Sequence, residues 1–589
     1  MQKNWNLKLL YSDINDKDIQ RDIEESKTNV QLFVKKWKNN NEYLKNPKTL
    51  SIALKEYEEL MQEYGICTKP SYYLFLSREI DQGNPILKSK ENLLHSTCLE
   101  LENSIQFFLL NISKIPKQKQ KLFLESEDLK IYTHFLLSSF NQAKYLLTDK
   151  EEKIFNLESK TSHANWINML SELLQKQSIK ILNEKGIKKE VSYSETSKYL
   201  DSSKKEVRDY AAEQFYKVNN RYAQIAEYEI NSILENKKIS DEYRKIPRVD
   251  LPRLLSDDME PNTVDTLRSV VTDSFDISQR FYKLKAKLLK QDSLAYYERN
   301  VKVDEIKQEY SFEKSINIVK EVLKKLDKEF FDIVQMYESQ GQYDAYPKRG
   351  KEGGAFCVGV GSKYPTYILL NHNDRLQDVL TIAHESGHGI HTEYSNKQNP
   401  LNQGYSTACA EVASTFFENF VLENITENLS EKEKDLLLFK SLEEDVSTIF
   451  RQIACYNFEL ELHKQFRDKG FLSKEDISNI FTQEMSKYLG ESVLEDKHMQ
   501  LGWIYWSHIR SFFYTYSYAS GLLISKYLQN LVKEDTQNIK YVKEFFKAGD
   551  SKSPKEIFLD MGMDISKKEF WETGLKEIEE KLSYLEKKL

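Results

Sequence analysis

A chain of 589 residues is too long for one compact domain, because domains average roughly 100–200 residues, so we expect two or more lobes. Apolar residues make up 40% of the sequence and charged residues 30%, a balance that excludes bulk disorder. The 85 basic and 92 acidic residues are interspersed and give a net charge of −7, which excludes the basic patch that a nucleic-acid partner would need.

Scarce helix-breaking residues predict a mainly α fold. The sequence contains 19 glycines and 11 prolines, which leaves long uninterrupted stretches that favour helices over a turn-rich sandwich or barrel. Between residues 316 and 334, for example, apolar side chains recur at helical spacing with Lys, Glu and Asp between them. This pattern predicts an amphipathic helix whose apolar face packs in a core.

A polar segment at residues 186–195 separates two helical stretches. It starts with a glycine and continues with charged and hydroxyl side chains, a composition typical of a connection between regions. The sequence therefore predicts an N-terminal helical region, residues 1–190, and a larger region, residues 191–589.

Two features indicate the cellular compartment. The first residues, Met1–Tyr11, lack the apolar segment of a secretory signal, and no run approaches the ~18 apolar residues of a membrane span. The five cysteines are scattered and contain no C-x-x-C pair, so neither a disulfide framework nor a thiolate zinc site is indicated. We therefore expect a cytoplasmic protein with no membrane partner.

A glycine cluster interrupts the helical pattern. Five of the nineteen glycines fall between Gly350 and Gly361, and β-branched and aromatic residues follow from Tyr364 to Leu370. This order predicts a turn that leads into a short strand near Thr366–Leu370. The segment contains neither of the glycine motifs that bind nucleotide phosphates, so we exclude nucleotide binding.

An H-E-x-x-H motif lies in the helical stretch Asp378–His391, where His384 and His388 frame Glu385. On a helix, residues four apart lie about 40° apart around the axis and about 6 Å apart along it, so both imidazoles reach one ion at the ~2.0–2.1 Å Zn–N distance. Glu385 lies a further ~100° round the helix, where a carboxylate can take a proton from water at the metal. The alternative is that two core or surface histidines happen to frame a glutamate.

His391 follows in the same helix but is not the expected third ligand. A metzincin takes its third ligand from the sixth residue after the second histidine, and that residue is Tyr394 in this sequence. We therefore expect His391 to pack or to contact a ligand, and the third ligand to come from another element.

A second helical stretch carries an acidic face. Glu411 and Glu418 are two turns apart on one face, with Ser414 between them, in a segment otherwise apolar enough to be buried. Buried carboxylates need a partner, and a metal or a ligand histidine would stabilise their charged forms. We assign Glu411 as the third ligand and Glu418 as the hydrogen-bond partner of a ligand histidine. The alternative is an exposed acidic face.

A histidine and three tyrosines follow near the carboxyl end: His508, Tyr514, Tyr516 and Tyr518. Tyr514 and Tyr518 are four residues apart, so on a helix their hydroxyls share a face and can donate hydrogen bonds to an oxyanion. The sequence leaves the choice among the three tyrosines open. The alternative is ordinary aromatic packing, since aromatics are common core residues.

Several of these segments together resemble the thimet oligopeptidase family of zinc peptidases, particularly its oligoendopeptidase F branch. The motif His384-Glu-Ser-Gly-His388 is followed, 23 residues after its last histidine, by Glu411-Val-Ala-Ser-Thr415. The similarity covers nearly the whole chain, and its other segments are Trp5–Tyr11, Arg280–Lys287, Gly350–Phe356, Ser553–Pro554, Gly562–Asp564 and Phe570–Trp571.

The resemblance implies a two-lobed, mainly helical zincin with a deep substrate channel and a small β-sheet near the active site. It implies one Zn²⁺ per chain with Glu411 as third ligand. It also implies that His508 and tyrosines from the set Tyr514, Tyr516 and Tyr518 bind substrate and stabilise the transition state. Phe356 stands where the family usually has tyrosine, so no hydroxyl role is expected there.

We therefore predict a zinc-dependent metalloendopeptidase that hydrolyses internal bonds of short, unstructured oligopeptides. Glu385 is the predicted general base, and the strand near Thr366–Leu370 is the predicted partner of an extended substrate. A metallocarboxypeptidase of a related helical zincin type would share the same motif. A non-enzymatic peptide-binding protein is the alternative of a different class, but it would have no reason to keep Glu385 between two metal-spaced histidines.

Overall fold

The computed structural model describes residues 2–304, 306 and 308–589. Over these residues the chain is mainly helical with two small sheets, which confirms the predicted fold class. The first fourteen helices are α1 Lys17–Trp37, α2 Pro47–Glu63, α3 Thr68–Glu79, α4 Pro85–Ile105, α5 Phe107–Ser113, α6 Lys117–Leu124, α7 Thr133–Ala143, α8 Asp149–Ser159, α9 Asn165–Gln175, α10 Ser197–Leu200, α11 Lys205–Arg244, α12 Leu251–Ser256, α13 Pro261–Asp273 and α14 Phe275–Leu288. The others are α15 Phe312–Leu326, α16 Lys328–Gln340, α17 Leu376–Ser395, α18 Thr407–Glu427, α19 Glu431–Asp445, α20 Arg451–Lys469, α21 Lys474–Leu489, α22 Lys497–Gln500, α23 Gly502–Tyr505, α24 Tyr516–Glu534, α25 Ile539–Ala548, α26 Pro554–Asp560 and α27 Lys568–Lys588. Within the described ranges, none of these helices combines the length and the apolar character that a membrane span requires.

The chain divides into two compact units, as its length predicts. Each unit is assembled from three separate segments of the sequence. The first unit comprises Met1–Lys144, Lys307–Asn428 and Leu528–Met563. The second comprises Tyr145–Ile306, Leu429–Tyr527 and Asp564–Leu589.

Side-chain caps fix where several helices of the first unit begin. Asn46 accepts hydrogen bonds from the first turn of α2, and Asn84 does the same for α4. In both cases proline occupies the first helical position, where its missing N–H leaves no bond unmade. The core beneath these helices is rich in aromatic side chains, and the N-terminal Trp5 packs edge-on against Tyr367 at 5.6 Å between ring centroids.

A three-stranded sheet completes the first unit. Its strands are β3 Tyr343–Asp344, β4 Phe356–Val358 and β5 Tyr367–Leu369. They lie in the order β3-β5-β4, with β5 parallel to β3 and antiparallel to β4. The strand predicted after the glycine cluster is therefore confirmed as β5, whereas β4, inside the cluster, was not predicted.

The position of β5 corrects one functional expectation. β5 is the central strand, so its backbone N–H and C=O groups already pair with β3 on one side and β4 on the other. The prediction that this strand pairs with an extended substrate is wrong, because only an edge strand offers free backbone groups. In this sheet the edge strands are β3 and β4, one on each side of β5.

The predicted helix over residues 316–334 is interrupted. Asp327 takes an extended conformation, with φ −162° and ψ 141°, and its side chain accepts a hydrogen bond from the Glu329 backbone N–H. This cap ends α15 and starts α16, because a short acidic side chain competes for the backbone groups of the next turn. Apolar periodicity continues across the break and therefore did not reveal it.

The second unit contains the polar segment at residues 186–195. Strands β1 Ser178–Leu182 and β2 Lys188–Ser192 pair as an antiparallel hairpin, so this segment forms a turn and a strand within one unit. The division of the chain into residues 1–190 and 191–589 remains a prediction.

Candidate metal centre

Helices α17 and α18 of the first unit touch at the backbone where Gly387 faces Ser414. A Cβ added to Gly387 would lie 2.7 Å from the Ser414 Cα and 2.8 Å from the Ala413 carbonyl oxygen. Only glycine permits this approach, and it brings the H-E-x-x-H face of α17 against the acidic face of α18. The signal in the sequence was a pair of glycines inside a helical pattern, Gly387 and Gly389, which is unfavourable unless packing requires it.

The close contact gathers three donors into one cluster. One ligand atom from each of His384, His388 and Glu411 lies within 4.8 Å of the other two. The Glu411 Oε2 atom is 3.4 Å from His384 Nε2 and 3.8 Å from His388 Nε2. Tetrahedral zinc at about 2.0–2.2 Å from each donor needs donor separations of about 3.3–3.6 Å. The donor set therefore fits the ion in kind, and the longer of these two separations exceeds that range by about 0.2 Å.

Two further side chains orient the cluster. Glu418 Oε2 lies 3.0 Å from His384 Nδ1, which leaves Nε2 of that ring facing the cluster. Ser414 Oγ donates a hydrogen bond to Glu411 Oε2 at 3.1 Å. Carboxylate–histidine pairs of this kind fix the ring orientation of metal ligands.

The electrostatics of the cluster favour a cation. Burial alone would lower the pKa of His384, but hydrogen bonds to Glu411 and Glu418 raise it to about 10. Burial opposes ionisation of Glu411, yet the His384 contact lowers its pKa to about 2. Burial beside the His384 charge lowers the pKa of His388 to about 4. The two carboxylates thus stabilise positive charge at this point, which a divalent cation would supply.

Glu385 lies beside the cluster on α17 with only 7% of its surface exposed. Burial raises the pKa of its carboxyl to about 7, and the charge of His384 and the Cys357 backbone N–H counteract part of that shift. Cys357 belongs to β4, so the small sheet borders the predicted base. A carboxyl group with a pKa near neutrality is suited to accept and return a proton.

His391 packs, as its spacing predicts. Its ring stacks on Tyr405 at 3.8 Å between centroids and 8° between planes, and it is buried. It is not part of the three-donor cluster.

The second unit brings the other predicted residues together. The ring of His508 lies 5.2 Å from that of Tyr514 and 5.7 Å from that of Tyr518, and the two tyrosine rings are 5.9 Å apart. The Tyr514 hydroxyl also hydrogen-bonds to His508 Nδ1. Tyr516 points elsewhere, because it is fully buried and its hydroxyl donates to Asp257 Oδ2 at 2.8 Å.

The backbone before α24 explains this arrangement. The helix expected to carry both Tyr514 and Tyr518 begins only at Tyr516. Before it, Phe512 and Phe513 take left-handed conformations, with φ 47° and 60°, which are unfavourable for bulky residues. The buried Glu459 stabilises this turn by accepting a hydrogen bond from the Phe513 N–H at 2.6 Å.

Arg510 fixes the segment that carries His508. Its guanidinium forms a buried ion pair with Glu229 and donates to the Trp503, Ile504 and Trp506 carbonyl oxygens. A guanidinium that satisfies this many acceptors holds the backbone of the turn in one conformation.

Comparison with known proteins decides the family. The model of Peptidase family M3 matches residues 198–577, and a model named Oligopeptidase F matches residues 111–174. The chain belongs to Peptidase family M3. This membership confirms the resemblance noted in the sequence and the prediction of a metalloendopeptidase.

The similarity to known relatives and to solved structures extends over nearly the whole chain. Oligopeptidase PepF of Bacillus subtilis is 26% identical over 545 residues, which cover 91% of this chain and 80% of that one. An oligoendopeptidase F homolog of Borreliella burgdorferi is 26% identical over 578 residues, covering 96% and 94%. A solved structure from Chlamydophila abortus superposes with a TM-score of 0.86 at 20% identity, covering 99% and 98%. Oligoendopeptidase-F from Enterococcus faecium superposes with a TM-score of 0.68 at 18% identity, covering 97% of each chain.

Substituting Gly387 with alanine in this M3 chain should lower the free energy of unfolding. Alanine gains roughly 1 kcal/mol in helix propensity, but overpacking costs about 1–3 kcal/mol, because the backbone atoms of Ala413 and Ser414 cannot rotate away. We expect weaker zinc binding as well, because the ligands come from the two helices that are pushed apart. Denaturant unfolding and zinc titration measure both effects.

Gly83 supplies the matched control for that substitution. An added Cβ at Gly83 meets no atom within 4 Å, and its backbone has no positive φ. Gly83→Ala should therefore leave stability and zinc affinity unchanged. A Gly387→Ala variant as stable as the parent would show that the helix contact is looser than the structure indicates.

Proposed function

We propose that this M3 peptidase is a zinc-dependent endopeptidase that hydrolyses internal peptide bonds of short, unstructured oligopeptides. The observation that carries the proposal is the cluster of His384, His388 and Glu411 with the buried Glu385 beside it. The names of the relatives, oligopeptidase and oligoendopeptidase F, support the substrate class.

The ligands of the proposed zinc ion are His384, His388 and Glu411. Glu418 holds the His384 ring by its Nδ1 atom, and Ser414 holds the Glu411 carboxylate. When bound, one Zn²⁺ ion per chain would lower the pKa of water and polarise the scissile carbonyl group.

Glu385 is the proposed general base and acid. Its carboxylate accepts the proton of the attacking water and then delivers that proton to the nitrogen of the leaving amine. Because burial raises the pKa of this carboxyl to about 7, the same group can accept a proton and give it up again near neutral pH. The Cys357 N–H of β4 orients the carboxylate.

The ring cluster of His508, Tyr514 and Tyr518 is proposed to stabilise the oxyanion. Donors that are already oriented lower the barrier because they need no rearrangement when charge develops. Tyr514 and Tyr518 are both partly exposed, whereas the Tyr516 hydroxyl is engaged by Asp257 in the core. The geometry therefore favours Tyr514 and Tyr518 as the donors.

Replacing Tyr518 with phenylalanine should lower kcat more than it raises KM. A hydroxyl aimed at the oxyanion acts mainly in the transition state, and losing one such donor costs about 2.7–4 kcal/mol. Tyr516→Phe is the matched control, because its hydroxyl bonds to Asp257 and its loss should lower stability with little change in kcat. If Tyr518→Phe had the same kcat and KM as the parent, Tyr514 would be the tyrosine that donates to the oxyanion.

The proposal includes the organisation of the chain. All proposed site residues lie in residues 191–589, within the stretch that matches Peptidase family M3, and the separate Oligopeptidase F match lies in residues 1–190. The deep channel implied by the resemblance would admit an extended peptide and exclude a folded domain. A cytoplasmic location is supported by the five cysteines, none of which forms a disulfide in the described part of the chain.

The test is mass spectrometry of peptide digests made with and without a chelator. The substrates are a peptide with acetylated and amidated ends, a folded protein, and peptides cut from that protein. We expect chelator-sensitive internal cleavage of the peptides and an intact folded protein. Cleavage only of peptides with free carboxyl ends would favour a metallocarboxypeptidase. An inert zinc-loaded protein would favour a peptide-binding role.

A further inference from the structure

The second unit contains a cavity of about 360 Å³ that is separate from the residues proposed for catalysis. This volume lies in the range of small-molecule binding sites, which is about 300–1,000 Å³. Aromatic rings form much of its wall, from Tyr193, Phe215, Tyr216, Tyr296, Tyr297 and Tyr505. The site would therefore accept a flat, apolar molecule.

Arg299 is the buried charge in this wall. It is only 7% exposed, and its guanidinium lies 3.9 Å above the Tyr296 ring while donating to the Tyr296 carbonyl oxygen. Its Nε atom is buried without a hydrogen-bond partner. Among the described residues no carboxylate lies within 4.0 Å of its nitrogen atoms, so the charge is not paired inside the protein.

Arg451 contributes a second unpaired guanidinium to the same cavity. It stacks over the Trp506 ring at 4.2 Å, and its Nε atom is also buried without a partner. No carboxylate in the described part of the chain forms an ion pair with it. Two cations that share a cavity and form no close ion pair favour an anion bound between them.

Other buried arginines of the same unit do have counter-ions. Arg208 pairs with Glu298 at 2.7 Å, and Arg510 pairs with Glu229 at 2.8 Å. A buried charge without an ion-pair partner is costly, so the buried Arg299 and the half-buried Arg451 differ from these in leaving room for an anion from outside. Asp201 also lines the cavity, where burial raises the pKa of its carboxyl and the charges of Lys285 and Arg299 counteract part of that shift. It lies beyond 4.0 Å from either guanidinium and forms no ion pair with them.

His498 also lines the cavity and carries a buried ring nitrogen. Its Nδ1 atom lies 2.9 Å from Asp496 Oδ2, and its Nε2 atom is buried without a hydrogen-bond partner. Its ring lies edge-on to Tyr297 at 4.9 Å and to Tyr216 at 5.6 Å. When Nδ1–H donates to this carboxylate, Nε2 is an acceptor in the neutral ring and donates to an anion only when the ring carries both protons.

We infer that this cavity binds a small organic anion, a carboxylate or phosphate group carried on a flat apolar ring. Arg299 and Arg451 bind the anionic group through charge-assisted hydrogen bonds, which are the strong contacts of such sites. The aromatic wall binds the ring. None of the lining residues belongs to the metal cluster or to the ring cluster around His508, although burial, helped by the positive charge of Arg451, lowers the pKa of His508.

The experiment is isothermal titration calorimetry of the zinc-loaded full chain with phenylacetate, phenylacetamide and phenyl phosphate. Phenylacetamide has the same ring and nearly the same size as phenylacetate but no charge. We expect the parent to bind phenylacetate or phenyl phosphate at least tenfold more tightly than phenylacetamide, and the tighter of the two anions identifies the group. Equal affinity for phenylacetate and phenylacetamide, or no binding of either anion, would overturn the inference.

Two variants locate the binding. Arg451→Gln removes one guanidinium without stranding a counter-ion and should weaken anion binding at least tenfold. Arg221→Gln removes an exposed arginine that does not line the cavity and should bind as the parent does. Anion binding that persists unchanged in Arg451→Gln would assign it to the metal centre and contradict the cavity site. Circular dichroism and Tm establish that each variant is folded.

Discussion

Replacing Glu385 with glutamine should lower kcat by about 100- to 10,000-fold while leaving the zinc content at one ion per chain. The amide has nearly the same shape as the carboxyl group and keeps its place on α17, but it cannot accept a proton from water. The buried position of Glu385 means that no bulk water can substitute for it as base. Steady-state kinetics on a blocked peptide, with metal analysis of the same sample, measure the effect.

Glu385→Asp serves as the comparison for this variant. It keeps the carboxylate but withdraws it by one methylene, so we expect activity between that of the parent and that of Glu385→Gln. If Glu385→Gln retained most of the parent rate with full zinc content, another group would have to be the base.

Replacing Glu411 with glutamine should produce the largest loss of zinc affinity of any single change in α18. It removes one of three ligands and the negative charge that stabilises the cation, and it leaves two histidines that cannot hold zinc tetrahedrally. Glu418→Gln should cost less, about 10- to 100-fold in affinity, because Glu418 contacts His384 and not the cluster centre. Competition titration with a chromophoric chelator measures the zinc affinity of each variant and ranks the two losses.

Glu427→Gln is the matched control on the same helix. Glu427 is exposed near the end of α18 and lies outside the donor cluster, so its amide variant should bind zinc as the parent does. Tighter zinc binding by Glu411→Gln than by Glu418→Gln would place the third ligand at Glu418.

The three-donor cluster of the candidate metal centre was largely predictable because its determinants are local. Two histidines four residues apart on a helix must share a face, and an acidic face in an apolar helix must find a cation. What the sequence did not reveal is how α17 and α18 meet. That contact depends on the space at Gly387, which only the packed backbone defines.

Other features depended on contacts between distant residues. The Asp327 break was missed because apolar spacing continues through it and only the cap ends the helix. β4 is three residues long, and its pairing with β5 across the glycine loop has no periodic signal of its own. The cavity of the second unit was missed for the same reason, since Arg299 and Arg451 are 152 residues apart in the sequence.

The division of each unit among three segments has a consequence for synthesis. The chain passes from one unit to the other five times, and the first unit is not complete until residue 563 of 589 has been made. Neither unit can finish folding until nearly all of these residues have been synthesised. Non-local contacts of this kind slow folding and prolong the exposure of apolar surface. A fragment of residues 191–589 would lack residues 2–144 of the first unit, so we expect it to aggregate when expressed alone.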